Sequence, residues 1–120
     1  MGLTARAMGC RGEFVWNPVD EEMEPAETIY LSEWNKHPNL HGFMQNLYGE
    51  GDIGGVAVEL EPEDIDELEK RINENSLPET KGFFFGENAD EYYAEQDRKF
   101  IADARKAIKD GYSIVYWSCW

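Results

Sequence analysis

Asp110-Gly111-Tyr112-Ser113-Ile114-Val115-Tyr116-Trp117-Ser118-Cys119-Trp120, at the end of the chain, is the stretch whose reading decides the fold. In an extended strand Tyr112, Ile114 and Tyr116 fall on one side, Val115 and Trp117 on the other. Both sides are apolar, so the strand belongs inside a sheet. Asp110-Gly111 ahead of it ends a helix through a left-handed glycine. That helix has Tyr93, Phe100, Ile101, Ala104 and Ile108 as its inward stripe. Asn88 with Glu91 reads as its N-cap and capping-box pair. Before it, Gly82-Phe83-Phe84-Phe85-Gly86 reads as another strand, apolar on both faces.

Further back, Glu61-Pro62 opens a helix with Ile65, Leu68 and Ile72 inward. Glu63 and Asp64 lie in its first turn and Lys70-Arg71 near its end, the order the helix dipole favours. Asn75-Ser76-Leu77-Pro78 stops it. Gly54-Gly55 leads into Val56, Val58 and Leu60, which alternate as in a strand. From Pro38, the residues Leu40, Phe43, Met44, Leu47 and Tyr48 repeat at helical spacing and end at Gly49. Gly42 in that helix costs about 1 kcal/mol relative to alanine, which points to close packing. Residues 28–31 form a short β-like run. Residues 20–27, acidic and holding Pro25, read as a loop, and residues 12–16 as a strand stopped by Asn17-Pro18. The expected fold is α+β: a single domain over residues 1–120, with a small mixed or antiparallel sheet and about three helices packed mainly on one face.

The chain carries 25 acidic and 11 basic residues among 120, a formal charge of −14. The acids gather in residues 20–33, 50–69 and 87–97. Such a balance repels nucleic acid and anionic membranes and suits a basic partner or the mimicry of a nucleic-acid backbone. It also serves solubility. Two cysteines, Cys10 and Cys119, are too few for a disulfide framework and are expected to stay reduced in a cytoplasmic setting. Residues 1–8 lack the apolar core of a signal peptide, and Arg6 stands where a myristoylation signal wants Ser or Thr. No apolar run approaches a membrane span.

His37 and His41 are four residues apart, a spacing that can place two imidazoles on one metal. The short Cys-x-x-Cys pairing of zinc sites is missing, and Pro38 sets His37 ahead of its helix, so no metal and no cofactor is expected. If a metal bound, His37, His41, Cys10 and Cys119 would be the set to test. Trp34, Lys36, His37 and His41 gather polar and aromatic groups within a few residues. Asp90, Glu91, Tyr92, Glu95 and Asp97, with Arg98, are the candidates to lie opposite them. Together they would make a ligand or partner contact, and the alternative is an aromatic helix contact with charged rims. No phosphate loop, nucleophile elbow or catalytic cysteine motif is present, and carboxylate pairs are too many to be diagnostic.

Trp34-Asn35-Lys36-His37-Pro38-Asn39-Leu40-His41-Gly42-Phe43-Met44, Leu77-Pro78-Glu79-Thr80-Lys81 running into Gly82-Phe83-Phe84-Phe85-Gly86, Asp90-Glu91-Tyr92-Tyr93, Gln96-Asp97 and the Trp-rich end resemble a family of small tailed-phage proteins. The resemblance covers residues 34–120. Asn35 stands where that family usually has Arg, and the first residues keep only Met-Gly-Leu of its usual beginning. Members sometimes carry the label phosphoglycerate kinase. One small domain without a phosphate loop does not fit a kinase built of two large domains around a nucleotide cleft. The resemblance implies a small phage protein in the host cytoplasm and gives it no activity; with the acidic surface as the steering element, the leading expectation is that it binds a host or phage protein. The competing expectations are a small-ligand binder or enzyme using residues 34–41 and 90–97, and a nucleic-acid mimic.

Overall fold

The closing strand lies where its two apolar faces require it. In the structure, a computed structural model that describes residues 2–19, 21–81 and 88–120, the elements are β1 (Thr4–Asn17), β2 (Glu22–Asn35), α1 (Pro38–Tyr48), β3 (Val58–Leu60), α2 (Pro62–Asn73), α3 (Asp90–Lys109) and β4 (Ser113–Cys119). They build one four-stranded sheet in the order β2-β1-β4-β3, with every neighbouring pair antiparallel. β4 is therefore interior. The fold is α+β, as expected. The strand expected over residues 82–85 lies outside the described residues.

Alternation decides which face is covered. Ala5, Ala7, Val58, Leu60, Ile114 and Tyr116 share one face and are buried. They pack with Leu40 and Met44 of α1, Ile65 and Leu68 of α2, and Phe100 and Ile101 of α3. All three helices thus lie on that face. The opposite face carries Arg6, Met8, Glu59, Val115 and Trp117, of which none is fully buried.

Local chemistry sets the helix ends. Pro38 opens α1, and Gly49 closes it at φ 74. A Cβ on Gly42 would collide with Thr80 Oγ1, the close packing its presence in a helix implied. Glu61 and Asp64 form a capping box on α2. For α3 the expected cap is displaced. The cap position is Ala89, and Asn88 Oδ1 accepts from the backbone N–H of Asp90, two residues on, at 2.9 Å. That local turn takes the side chain the capping box would have used. Ile108 is only half-buried; Ala107 is buried in its place.

The largest corrections fall at the start of the chain. The strand read over residues 12–16 runs from Thr4, and the short run at 28–31 belongs to a 14-residue strand that includes most of the expected acidic loop. Pairing along a long hairpin satisfies the backbone groups and outweighs local composition. β2 is also an outer strand, where charges and Pro25 are tolerated. At the third strand the correction runs the other way: Val56 stays outside β3, which is only three residues long.

β1 pairs with β4 only as far as Cys10. From Arg11 outward the hairpin has two strands and projects beyond the sheet by roughly 20 Å, at about 3.3 Å per residue. A bulge marks the departure: Gly12 and Glu13 sit opposite Ala26, with Gly12 at φ 89, a left-handed value that favours glycine.

Candidate functional site

The groups that carry chemistry meet where the end of β2, the start of α1 and the first half of α3 come together. Trp34 is the last inward residue of β2. Lys36, at φ 54, turns the chain, and its backbone N–H bonds Leu3 O at 2.8 Å. His37 then precedes Pro38 and points under α3. On α3, Asp90, Tyr93 and Asp97 stand three and four residues apart, along one helix face.

Asp97 is the centre of the cluster and is 1% exposed. Trp34 Nε1–H donates to its Oδ1 at 2.8 Å, and His37 Nε2 bonds its Oδ2 at 2.8 Å. An ionised carboxylate only accepts, so His37 Nε2 carries the hydrogen of that bond. The His37 ring stacks on Tyr93 with centroids 4.7 Å apart. The Tyr93 hydroxyl donates to Asn35 O at 2.7 Å and accepts from Asn35 N–H at 2.9 Å. Trp34 meets Phe100 edge-on at 5.2 Å. Hydrogen bonds to a charged group contribute about 1.5–3 kcal/mol each, so this network ties β2, α1 and α3 into one unit.

The second carboxylate is at the rim. Asp90 Oδ1 lies 3.9 Å from His37 Nδ1, too far for a hydrogen bond. Asn39 Nδ2–H donates to Asp90 Oδ2 at 3.1 Å, and Asn39 Oδ1 accepts from the Thr80 backbone N–H at 3.0 Å. A cleft of about 280 Å3, lined by Asn75, Leu77, Asp90, Ala94, Asp97 and Arg98 among others, reaches the cluster at Asp97.

Trp34, His37, Asp90 and Asp97, four of the expected contact residues, are thus brought together. The others are not. Lys36, Glu91 and Glu95 are exposed, and Tyr92 is 82% exposed, edge-on to Tyr93. Arg98 is exposed and reaches Asn73 Oδ1 at 3.4 Å. His41 sits elsewhere in the core. Its Nδ1 bonds the Tyr116 hydroxyl at 2.9 Å, and its ring meets Trp120 edge-on at 5.1 Å. Burial pushes the His41 imidazole down to about 4, against an opposing pull from Asp52. Burial likewise raises the Tyr116 phenol above its ordinary range.

The two histidines therefore answer to different partners. Cys10 and Cys119 do not converge either. Cys119 pairs with Thr4, six residues along β1 from Cys10, which is roughly 20 Å on an extended strand. Burial pushes the Cys10 thiol up. Among the described residues no group of three or more His, Cys, Asp or Glu side chains is placed to hold one metal ion.

Asn39 and the phenol of Tyr93 were not legible as part of the cluster. The available signal was Asp97 itself, a carboxylate on the apolar stripe of Tyr93, Phe100 and Ala104. A charge at such a position needs buried donors, and Trp34 and His37 are the ones it finds.

Compared with known proteins, the chain matches no family model, no curated protein and no solved structure.

Proposed function

We propose that the protein acts by binding another protein, of the host or of a phage, in the infected cytoplasm, with its acidic surface steering the encounter. One observation carries this reading. Eight large apolar side chains are exposed among the described residues, and five of them, Phe14, Val15, Trp16, Val19 and Met23, lie in the projecting hairpin and its turn. Exposed apolar residues scattered singly need no explanation; a group gathered on one projection marks a contact surface. His37 and Asp97 meanwhile are 2% and 1% exposed, so only the edge of Asp97 that lines the cleft is within reach of a substrate. The resemblance to small phage proteins supports the setting. A nucleic-acid mimic would need carboxylates in rows at phosphate-like spacing, and it would have no use for the apolar side chains exposed on the same hairpin. No helix among the described residues is long and apolar enough to cross a membrane.

The test is recovery of a partner from infected or expressing cells with the tagged protein, set against a Phe14→Ser/Trp16→Ser variant that keeps its melting temperature. Loss of the same partner in the variant is the expected result. For a basic partner the association rate should also fall steeply between low and physiological salt. A partner retained by the variant, at an unchanged rate, would refute the reading.

A further inference from the structure

The register of the arm sorts its side chains. Phe14 is opposite Pro25 and Trp16 opposite Met23, so these four share one face. Along β2, Met23, Pro25, Glu27 and Ile29 alternate onto one side. Ile29 packs against the core, so the arm continues the sheet face that the helices cover. Arg11 marks where that cover ends. It bonds Asp110 O at the end of α3 at 2.8 Å and Glu27 Oε2 at 2.6 Å, and stacks over Tyr112. Past this pair the apolar face is bare, with Phe14 63%, Trp16 57% and Met23 54% exposed.

The arm is also charged with one sign. Residues 12–26 hold Glu13, Asp20, Glu21, Glu22 and Glu24 and no Lys or Arg. A second copy of the chain would bring the same charges against these, within a Debye length of about 10 Å. Size points the same way. Phe14 and Trp16 are about 7 Å apart along the strand. Two apolar side chains four residues apart on a helix are separated by about 6 Å. The geometry points to a lysine- or arginine-rich amphipathic helix of another protein as the occupant of the Phe14–Trp16–Met23–Pro25 face, its apolar stripe on the patch and its basic residues within a Debye length of Glu21 at the turn and of Glu22 and Glu24 on the arm's other side. This rests on the protein-binding reading and names the chemistry of the partner.

Two synthetic helix-forming peptides of equal leucine content test it, one with lysine and one with glutamate on the polar face. Each is titrated into the full chain, followed by tryptophan emission and by backbone amide shifts. The lysine peptide should bind, moving the amides of residues 12–26, and the glutamate peptide should not. Phe14→Ser/Trp16→Ser should weaken binding about tenfold, and so should Glu21→Lys/Glu22→Lys, which leaves the apolar face intact. If the first variant does not fold, the second carries the test. Absence of lysine-peptide binding, shifts centred on the acidic residues 50–69, or equal binding of the glutamate peptide would overturn the inference. So would a doubling of sedimenting mass that the apolar variant abolishes, because the occupant would then be a second copy. If the lysine peptide fails but the apolar variant loses its partner in cells, protein binding stands and only the basic helix falls. If the variant keeps that partner, both fall.

Discussion

Asp97 shows how much one buried group can fix. Its two oxygens take the only described hydrogen bonds of Trp34 Nε1–H and His37 Nε2–H. Asp97→Ala would leave both donors buried, at about 1–3 kcal/mol each, so urea unfolding should show a loss of roughly 2–6 kcal/mol. Glu95→Ala, two residues away and exposed, should stay within about 0.5 kcal/mol. Equal midpoints for the two variants would show that the cluster does not hold the three elements together. His41 makes a pH-dependent contribution. Its folded-state value is depressed to about 4 from the ordinary 6.5. As pH falls below 6.5 the unfolded chain takes up a proton that the native state refuses. The His41 contribution is therefore complete above pH 6.5, falls as pH drops towards 4, and changes no further below that. At about 1.4 kcal/mol per pH unit between the two values, the full loss should be roughly 3 kcal/mol. His41→Asn keeps a polar group near the Tyr116 hydroxyl but cannot titrate. Unfolding at pH 7 and pH 4.5 should show a smaller pH-induced loss in that variant than in the parent, and parallel losses would remove His41 as the cause.

The elements divide into those whose sequence states its own structure and those that depend on a distant partner. α1 and α2 were legible to within a residue because periodicity, Pro38, Pro62 and Gly49 are local signals. β4 was legible because apolar residues on both faces require an interior place. β2 was not, because Glu22, Glu24, Pro25 and Glu27 oppose a strand locally and become one only through β1. The same dependence predicts how separable the arm is. No described residue from 12 to 26 belongs to the core, and the pairing of β1 with β4 ends at Cys10. Replacing residues 12–26 by Asn-Gly, which suits a two-residue hairpin between Arg11 and Glu27, should leave a cooperatively folded domain. Its melting temperature should lie within about 5 °C of the parent, a change of roughly 1 kcal/mol. Collapse of the shortened chain would mean that the arm nucleates the sheet instead of extending it.

At the scale of the whole molecule two electrostatic effects compete. Arg6, Arg11, Arg71, Lys81, Lys99 and Arg105 each lie within ion-pair distance of a carboxylate on the surface. Exposed pairs of this kind contribute about 0–1 kcal/mol each and are weakened by salt. Against them stands a formal charge of −14, whose self-repulsion is stronger in the folded chain than in the expanded one and is relieved by salt. Even with every one of the 11 bases paired once, 14 of the 25 acids remain in excess, and the pairs are solvated, so relief of repulsion should prevail. Raising sodium chloride from about 0.01 M to 0.15 M shortens the Debye length from about 30 Å to 8 Å, from longer than the domain radius to shorter. The melting temperature should rise by about 4–8 °C, equivalent to 1–2 kcal/mol for a chain of this size. The increase should be smaller in a Glu21→Lys/Glu22→Lys variant, which removes four units of negative charge. A melting temperature that falls over the same salt range would mean that the surface pairs, above all Arg105 with Asp66 and Glu69, outweigh the repulsion of the remaining acids.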